Sequence, residues 1–175
     1  MNVRELQQAI INDLEKLFSG NNFKTPNKEM KPPRAYRQQL PQFDAQDTDD
    51  FFPYIIVRVD SGGVENQTDP QKVNVLLVIG IFDDGTEEYR PNGETEFAGE
   101  DGWDTRNFGS ISVMEIIEKI QTHYEQKPSL EKSSFYFDGP FHWAMPDEDS
   151  FPYYFGVCEL TFTIAAPRKE VSRFV

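Results

Sequence analysis

Hydrophobic residues fill both alternating sets of positions along Lys72 to Asp84, KVNVLLVIGIFDD: Val73, Val75, Leu77, Ile79 and Ile81 in one, Leu76, Val78 and Phe82 in the other. Only Asn74 and Gly80 interrupt that apolar surface. A β-branched run closed by Asp-Asp-Gly predicts a central strand, and apolar residues on both sides predict cover on both faces, since a sheet with one wet face alternates apolar with polar. Tyr54 to Asp60 predicts its hairpin partner, with Ile55, Val57 and Val59 facing one way, Tyr54, Ile56 and Arg58 the other, and Ser61-Gly62-Gly63 turning the chain. Tyr153 to Ile164 predicts a last long strand with Cys158, Leu160, Phe162 and Ile164 on one side and Glu159, Thr161 and Thr163 on the other. Two shorter strands are expected at Ser134 to Phe137 and Phe141 to Ala144, broken by Asp138-Gly139-Pro140.

Two stretches change period. Residues 3 to 18 place Leu6, Ile10, Leu14 and Leu17 on one helical face, with Asn2 and Glu5 spaced as a capping box and Gly20 as a stop. A second helix is expected from near Ser112, whose spacing to Glu115 also matches a capping box, to about Glu125 before Pro128; its stripe is Val113, Ile116, Ile117, Ile120 and Tyr124. These elements predict an α+β fold: a mostly antiparallel sheet of four to six strands with two helices packed on one face. The aromatic strands of 134 to 155, or another copy of the chain, are the expected cover for the other.

Between the elements the pattern is lost. Pro26, Pro32, Pro33 and Pro41 punctuate residues 21 to 50, which read as an extended arm or insertion, and residues 83 to 107 read as a solvated acidic loop. Residues 1 to 166 form one expected domain, with 167 to 175 as a C-terminal tail. A chain of 175 residues with 38% hydrophobic content suits a single core.

Charge narrows the function. A net charge of -13 argues against binding the outside of a nucleic acid, where affinity comes from Lys and Arg neutralising phosphates. The charge is also segregated: Lys24, Lys28, Lys31, Arg34 and Arg37 crowd the arm, whereas Asp83 to Asp104 carries acids against Arg90 alone. Opposite patches on one subunit suit head-to-tail contact, which closes into a ring when the rotation allows. The expected interface residues are Lys31, Arg34 and Arg37 on the arm and Glu87, Glu88, Glu94 and Glu96 on the acidic loop. No run reaches the roughly 18 apolar residues of a membrane span, and MNVRELQQ lacks a signal peptide's apolar core, so the expected compartment is cytoplasm.

Candidate chemistry is sparse. His123 and His142 lack zinc spacing and read as a helix-surface or partly buried residue and a packing partner of Trp143, respectively; Cys158 reads as a buried packing residue. Asp44, Asp47, Asp49 and Asp50 lack the glycine and glutamate of an EF-hand loop. Adjacent Asp83 and Asp84 read as solvated turn carboxylates that point apart, not as a glycosidase dyad. No nucleophile elbow or phosphate loop occurs in the sequence, so no catalytic, metal or cofactor residue is assigned.

The order of elements is helix, hairpin PYIIVRVD and VNVLLVIGIFDD, helix SVMEIIEKIQTHYEQ, broken strands and a last strand FPYYFGVCELTFTI. This order, the Pro-Tyr opening the first strand and the aromatic-Pro-Tyr-Tyr-x-Gly-x-x-Glu-Leu of the last resemble tail-terminator and minor tail proteins of long-tailed phages, over roughly residues 1 to 20 and 52 to 166. The resemblance implies a non-enzymatic virion protein without cofactor, assembled in host cytoplasm. It implies a homo-oligomeric, usually hexameric ring that caps the tail tube, meets head-completion proteins and lets DNA pass its acidic lumen. The basic arm departs from the compact pattern. Two rival expectations are an acidic binding module for a basic protein partner and a hydrolase with acids the motifs do not reveal.

Overall fold

A computed structural model describes residues 2–41, 48–85, 108–132, 134–147 and 150–165. Helix α1, Val3–Leu17, opens on Asn2, whose side chain accepts from the Glu5 N–H while Glu5 reaches back to the Asn2 N–H, so the predicted capping box is present. Three short strands follow: β1 (Phe23–Lys24), β2 (Met30–Lys31) and β3 (Arg34–Arg37). Then come β4 (Tyr54–Gly63), β5 (Gln71–Phe82), helix α2 (Phe108–Gln126), β6 (Ser129–Leu130), β7 (Phe135–Ala144) and β8 (Tyr153–Ile164).

The main sheet has six strands in the order β3-β4-β5-β8-β7-β6, and β1 with β2 makes a separate antiparallel pair. Within the main sheet only β3 and β4 run parallel; the other neighbours are antiparallel. The fold is α+β, with both helices on one face. α1 lies over β3 and β4, and α2 lies over β8, β5 and β7. Between them and the sheet sits the main core: Leu6, Ile10 and Leu14 of α1, Val113, Ile116, Ile120 and Tyr124 of α2, and the inward sets of β5 and β8.

Five sequence expectations need correction. Ser61-Gly62-Gly63 does not turn the chain: β4 runs through it, and all three residues pair with β5. α2 begins at Phe108, so Ser112 is not its cap; it lies inside the helix and is buried, and its spacing to Glu115 is coincidental. Asp138-Gly139-Pro140 does not end a strand: β7 runs through it, and the pairing with β8 absorbs the extra residues as a register shift between Phe137 and Phe141. The part of residues 21–41 expected to be patternless holds β1, β2 and β3, elements too short to leave a period. Finally, residues 135–144 extend the sheet sideways as β7, so they do not form a second layer over it.

Close helix packing depends on Gly156. A Cβ built there would stand 2.6 Å from Val113 Cγ1 and 3.3 Å from Ile117 Cδ1, both on α2. Gly156→Ala must therefore lift the helix or turn Val113 off its rotamer, and the expected loss is about 1–3 kcal/mol, read from urea unfolding. An unchanged midpoint would mean that α2 does not seat on β8 at this point.

Candidate functional site

The face of the sheet away from the helices carries the residues that decide what the fold can meet. Tyr54 and Ile56 of β4, Val78 and Phe82 of β5, and Tyr153 and Phe155 of β8 share it, because directly paired residues project to one side. Joining parallel β3 to β4 requires a crossover, and its last residues bring Phe51 and Phe52 onto this face. The Phe52 ring lies 4.9 Å from Tyr54, 4.9 Å from Tyr153 and 6.1 Å from Phe155, and Phe51 meets Tyr36 edge-on at 5.7 Å. The Tyr54 ring also fills the gap that Gly80 leaves in β5: a Cβ on Gly80 would come within 2.3 Å of it. Burial there pushes the Tyr54 phenol up to about 12.

This second cluster is small, and the cover stops short. Phe52, Tyr54 and Ile56 are buried, but Val78, Phe82, Tyr153 and Phe155 are only partly so, as are Leu76 and Val157. Along the strands the face then turns polar. Arg58 and Glu159, both exposed, stand opposite Leu76 on its two sides. Further on, Asn74 donates to Ser61 Oγ at 3.0 Å and accepts from Thr161 Oγ1 at 2.9 Å, and Lys72 stands 3.8 Å from Asp138. The face is thus half apolar and half hydrogen-bonded polar surface.

The three described interface candidates do not share one side of the sheet. Lys31 donates to the Asp50 carbonyl at 3.2 Å. Arg34 lies over the Tyr36 ring, 5.3 Å from its centroid, on the second face, whereas Arg37, on the helix side of β3, donates to Gln8 of α1. Glu87, Glu88, Glu94 and Glu96 lie outside the described residues, as do Asp44, Asp47 and residues 167–175.

Asp83 overturns its reading as a solvated turn carboxylate. It is 3% exposed, not solvated: its carboxylate accepts from Lys24 Nζ at 2.8 Å and from the Gly85 N–H at 2.9 Å. Asp84 Oδ1 approaches the same ammonium at 3.6 Å. The reason is long-range: β1 crosses the end of β5, and a lysine 59 residues away supplies the countercharge.

His142 also departs from expectation. It is exposed and points to the opposite side of β7 from Trp143, itself 55% exposed, so the two cannot stack. His123 is half-buried on α2, and its Nε2 lies 2.7 Å from Asp13 Oδ2 of α1, which ties the two helices together. It lines a cavity of about 520 Å³ between the ends of the two helices, with Glu115, Glu118 and Lys119 also in the wall. Lys119 donates to Asn21 and sits over the Phe18 ring. The neighbouring Tyr124 hydroxyl is buried without a well-formed hydrogen bond; burial first, then the negative Asp13, holds its pKa well above 10.

Asp13 and His123 resemble part of a catalytic relay, but their hydrogen bond joins helix to helix, and among the described residues no serine or cysteine lines the cavity beside them. Cys158 is fully buried, with its thiol pushed up to about 12, which keeps it protonated and unreactive. Among the described residues no three His, Cys, Asp or Glu side chains are grouped to hold a metal, and no helix is long and apolar enough to cross a membrane. No family model matches the chain, and no curated protein matches it either.

Proposed function

We propose that the protein is a ring-forming structural component of a phage virion, similar to the tail terminators that its element order resembles, closing the end of the tail tube and presenting a surface to the head. The observation that carries this reading is the half-covered apolar end of the second face, where Leu76, Val78, Phe155 and Val157 keep partial access to solvent beside exposed Arg58 and Glu159. Apolar residues flanked by opposite charges have the composition of an assembly contact: an apolar centre with a polar rim. A second copy of the chain is the proposed occupant, in a homo-oligomer that meets tube and head-completion proteins. A net charge of -13 would let DNA pass a lumen without adhering, because carboxylates repel phosphates. In this reading the His123–Asp13 pair holds α2 against α1 and does no chemistry.

Light scattering over a range of concentration and salt, with electron micrographs of the same samples, tests the proposal. The expected result is a fixed multiple of the 20.3 kDa chain and annular particles. A monomer under every condition overturns it. Arg34→Glu combined with Arg37→Glu is expected to weaken association about tenfold, with a smaller salt dependence. Since these arginines face opposite sides of β3, each single reversal reports on a different surface.

A further inference from the structure

β4 outlasts the strand that covers its outer edge. β3 pairs with Tyr54 to Val57 and ends, while β4 continues to Gly63. An uncovered strand edge offers N–H and C=O groups to any extended chain, above all to the same strand of another copy. At the point where β3 stops, Gln38 takes a left-handed backbone (φ 57°) and its N–H donates to the Val57 carbonyl at 3.0 Å. Its side chain then takes over. The carboxamide Oε1 accepts from the Val59 N–H at 2.6 Å, and Nε2 donates to the Val59 carbonyl at 3.3 Å. One amide group thus makes both bonds that a neighbouring strand would make to Val59.

The cap is itself held. Gln7 of α1, 7% exposed, donates to Gln38 Oε1 at 2.7 Å and to the Val57 carbonyl at 2.8 Å, and Arg58 Nε donates to the Gln38 carbonyl at 3.1 Å. Just beyond, the register of β4 shifts between Val59 and Ser61, which twists the remaining edge away. The other edges are blunted by different means. The Ala35 N–H of β3 donates to Glu15 of α1 at 3.4 Å, and β7 carries Pro140, which has no N–H to offer, within its own register shift.

We propose that the Gln38 carboxamide, positioned by Gln7, is an edge stop: it blocks strand addition by a second copy at β4 and so confines self-association to other surfaces. This holds whether or not the ring reading does, because it concerns a contact that the protein avoids.

The test uses the full chain and three substitutions. Gln38→Ala removes the surrogate strand and is expected to give open-ended, concentration-dependent association, seen as at least a tenfold rise in the high-mass fraction by light scattering, with new amide protection across 59–63. Gln38→Lys removes the same bonds but sets a charge on the edge, and it should stay at the wild-type mass. Gln7→Ala should loosen the cap and give an intermediate rise. If Gln38→Ala keeps the wild-type mass distribution, or if Gln38→Lys associates as strongly as Gln38→Ala, the edge-stop role is wrong; the second result would assign the association to lost stability. Should Gln38→Ala fail to fold, hydrogen exchange on the unaltered protein decides. The Val59 amide must exchange as slowly as the paired amides of β4, and fast exchange there overturns the proposal.

Discussion

Lys24→Met is expected to destabilise the protein by about 3–5 kcal/mol, the cost of removing one partner from a buried ion pair. Lys24 and Asp83 are 4% and 3% exposed and stand 2.8 Å apart, so the substitution leaves a carboxylate in a dry site whose other hydrogen bond, from the Gly85 N–H, cannot compensate a full charge. For a chain of this size the thermal midpoint should fall by on the order of 10 °C. The deficit belongs to the stranded charge and not to lost attraction. Adding Asp83→Asn, which keeps an acceptor for Gly85 but removes the charge, should therefore recover most of the loss. Urea unfolding of the four proteins in the cycle measures it. A Lys24→Met loss below about 1 kcal/mol would show that water reaches Asp83 and that the pair does not hold β1 against the end of β5.

That pair also shows where sequence reasoning stopped. Within Asp83 to Asp104, Asp83 looks like one more solvated acid, because the feature that buries it, Lys24, lies in a stretch with no periodicity of its own. Gln7 and Gln38 are hidden in the same way: neither has a local signal, and their bond exists only because α1 runs beside β3. What could be read was what repeats locally. The alternation in β4, β5 and β8 and the stripes of α1 and α2 follow from burying one side of each element, and they gave the fold class and the β4–β5 hairpin. Strands of two to four residues leave no such trace, so β1, β2 and β3 did not appear. The candidate face was half legible. The two-sided apolarity of β5 announced that something must pack near Val78 and Phe82, yet the sequence could not say that Phe52 joins Tyr54 and Ile56 in the cluster they pack against, because that follows from the parallel placement of β3.

Phe52→Ala tests that cover, with an expected loss of about 3 kcal/mol. The value sits at the low end for a buried phenylalanine because the cluster opens onto solvent at Val78 and Phe155, and water or a side-chain shift can fill part of the space. Three aromatic neighbours, Tyr54, Tyr153 and Phe155, would lose their contacts at once. The main core shares no buried residue with this cluster, so the damage should be local. Amides of β3 and of Tyr54 to Val57 should lose exchange protection, while α2 keeps its own. A hydrophobic dye that ignores the unaltered protein should bind the newly opened face. Self-association gives the decisive contrast: if the apolar end of this face meets another copy, uncovering Tyr54 and Ile56 changes the mass distribution at concentrations where Gly156→Ala, also destabilising but on the helix side, does not. Equal behaviour of the two variants would leave the second face as a minor core and move the search for the assembly contact to the exposed aromatics Tyr136, Trp143 and Phe151.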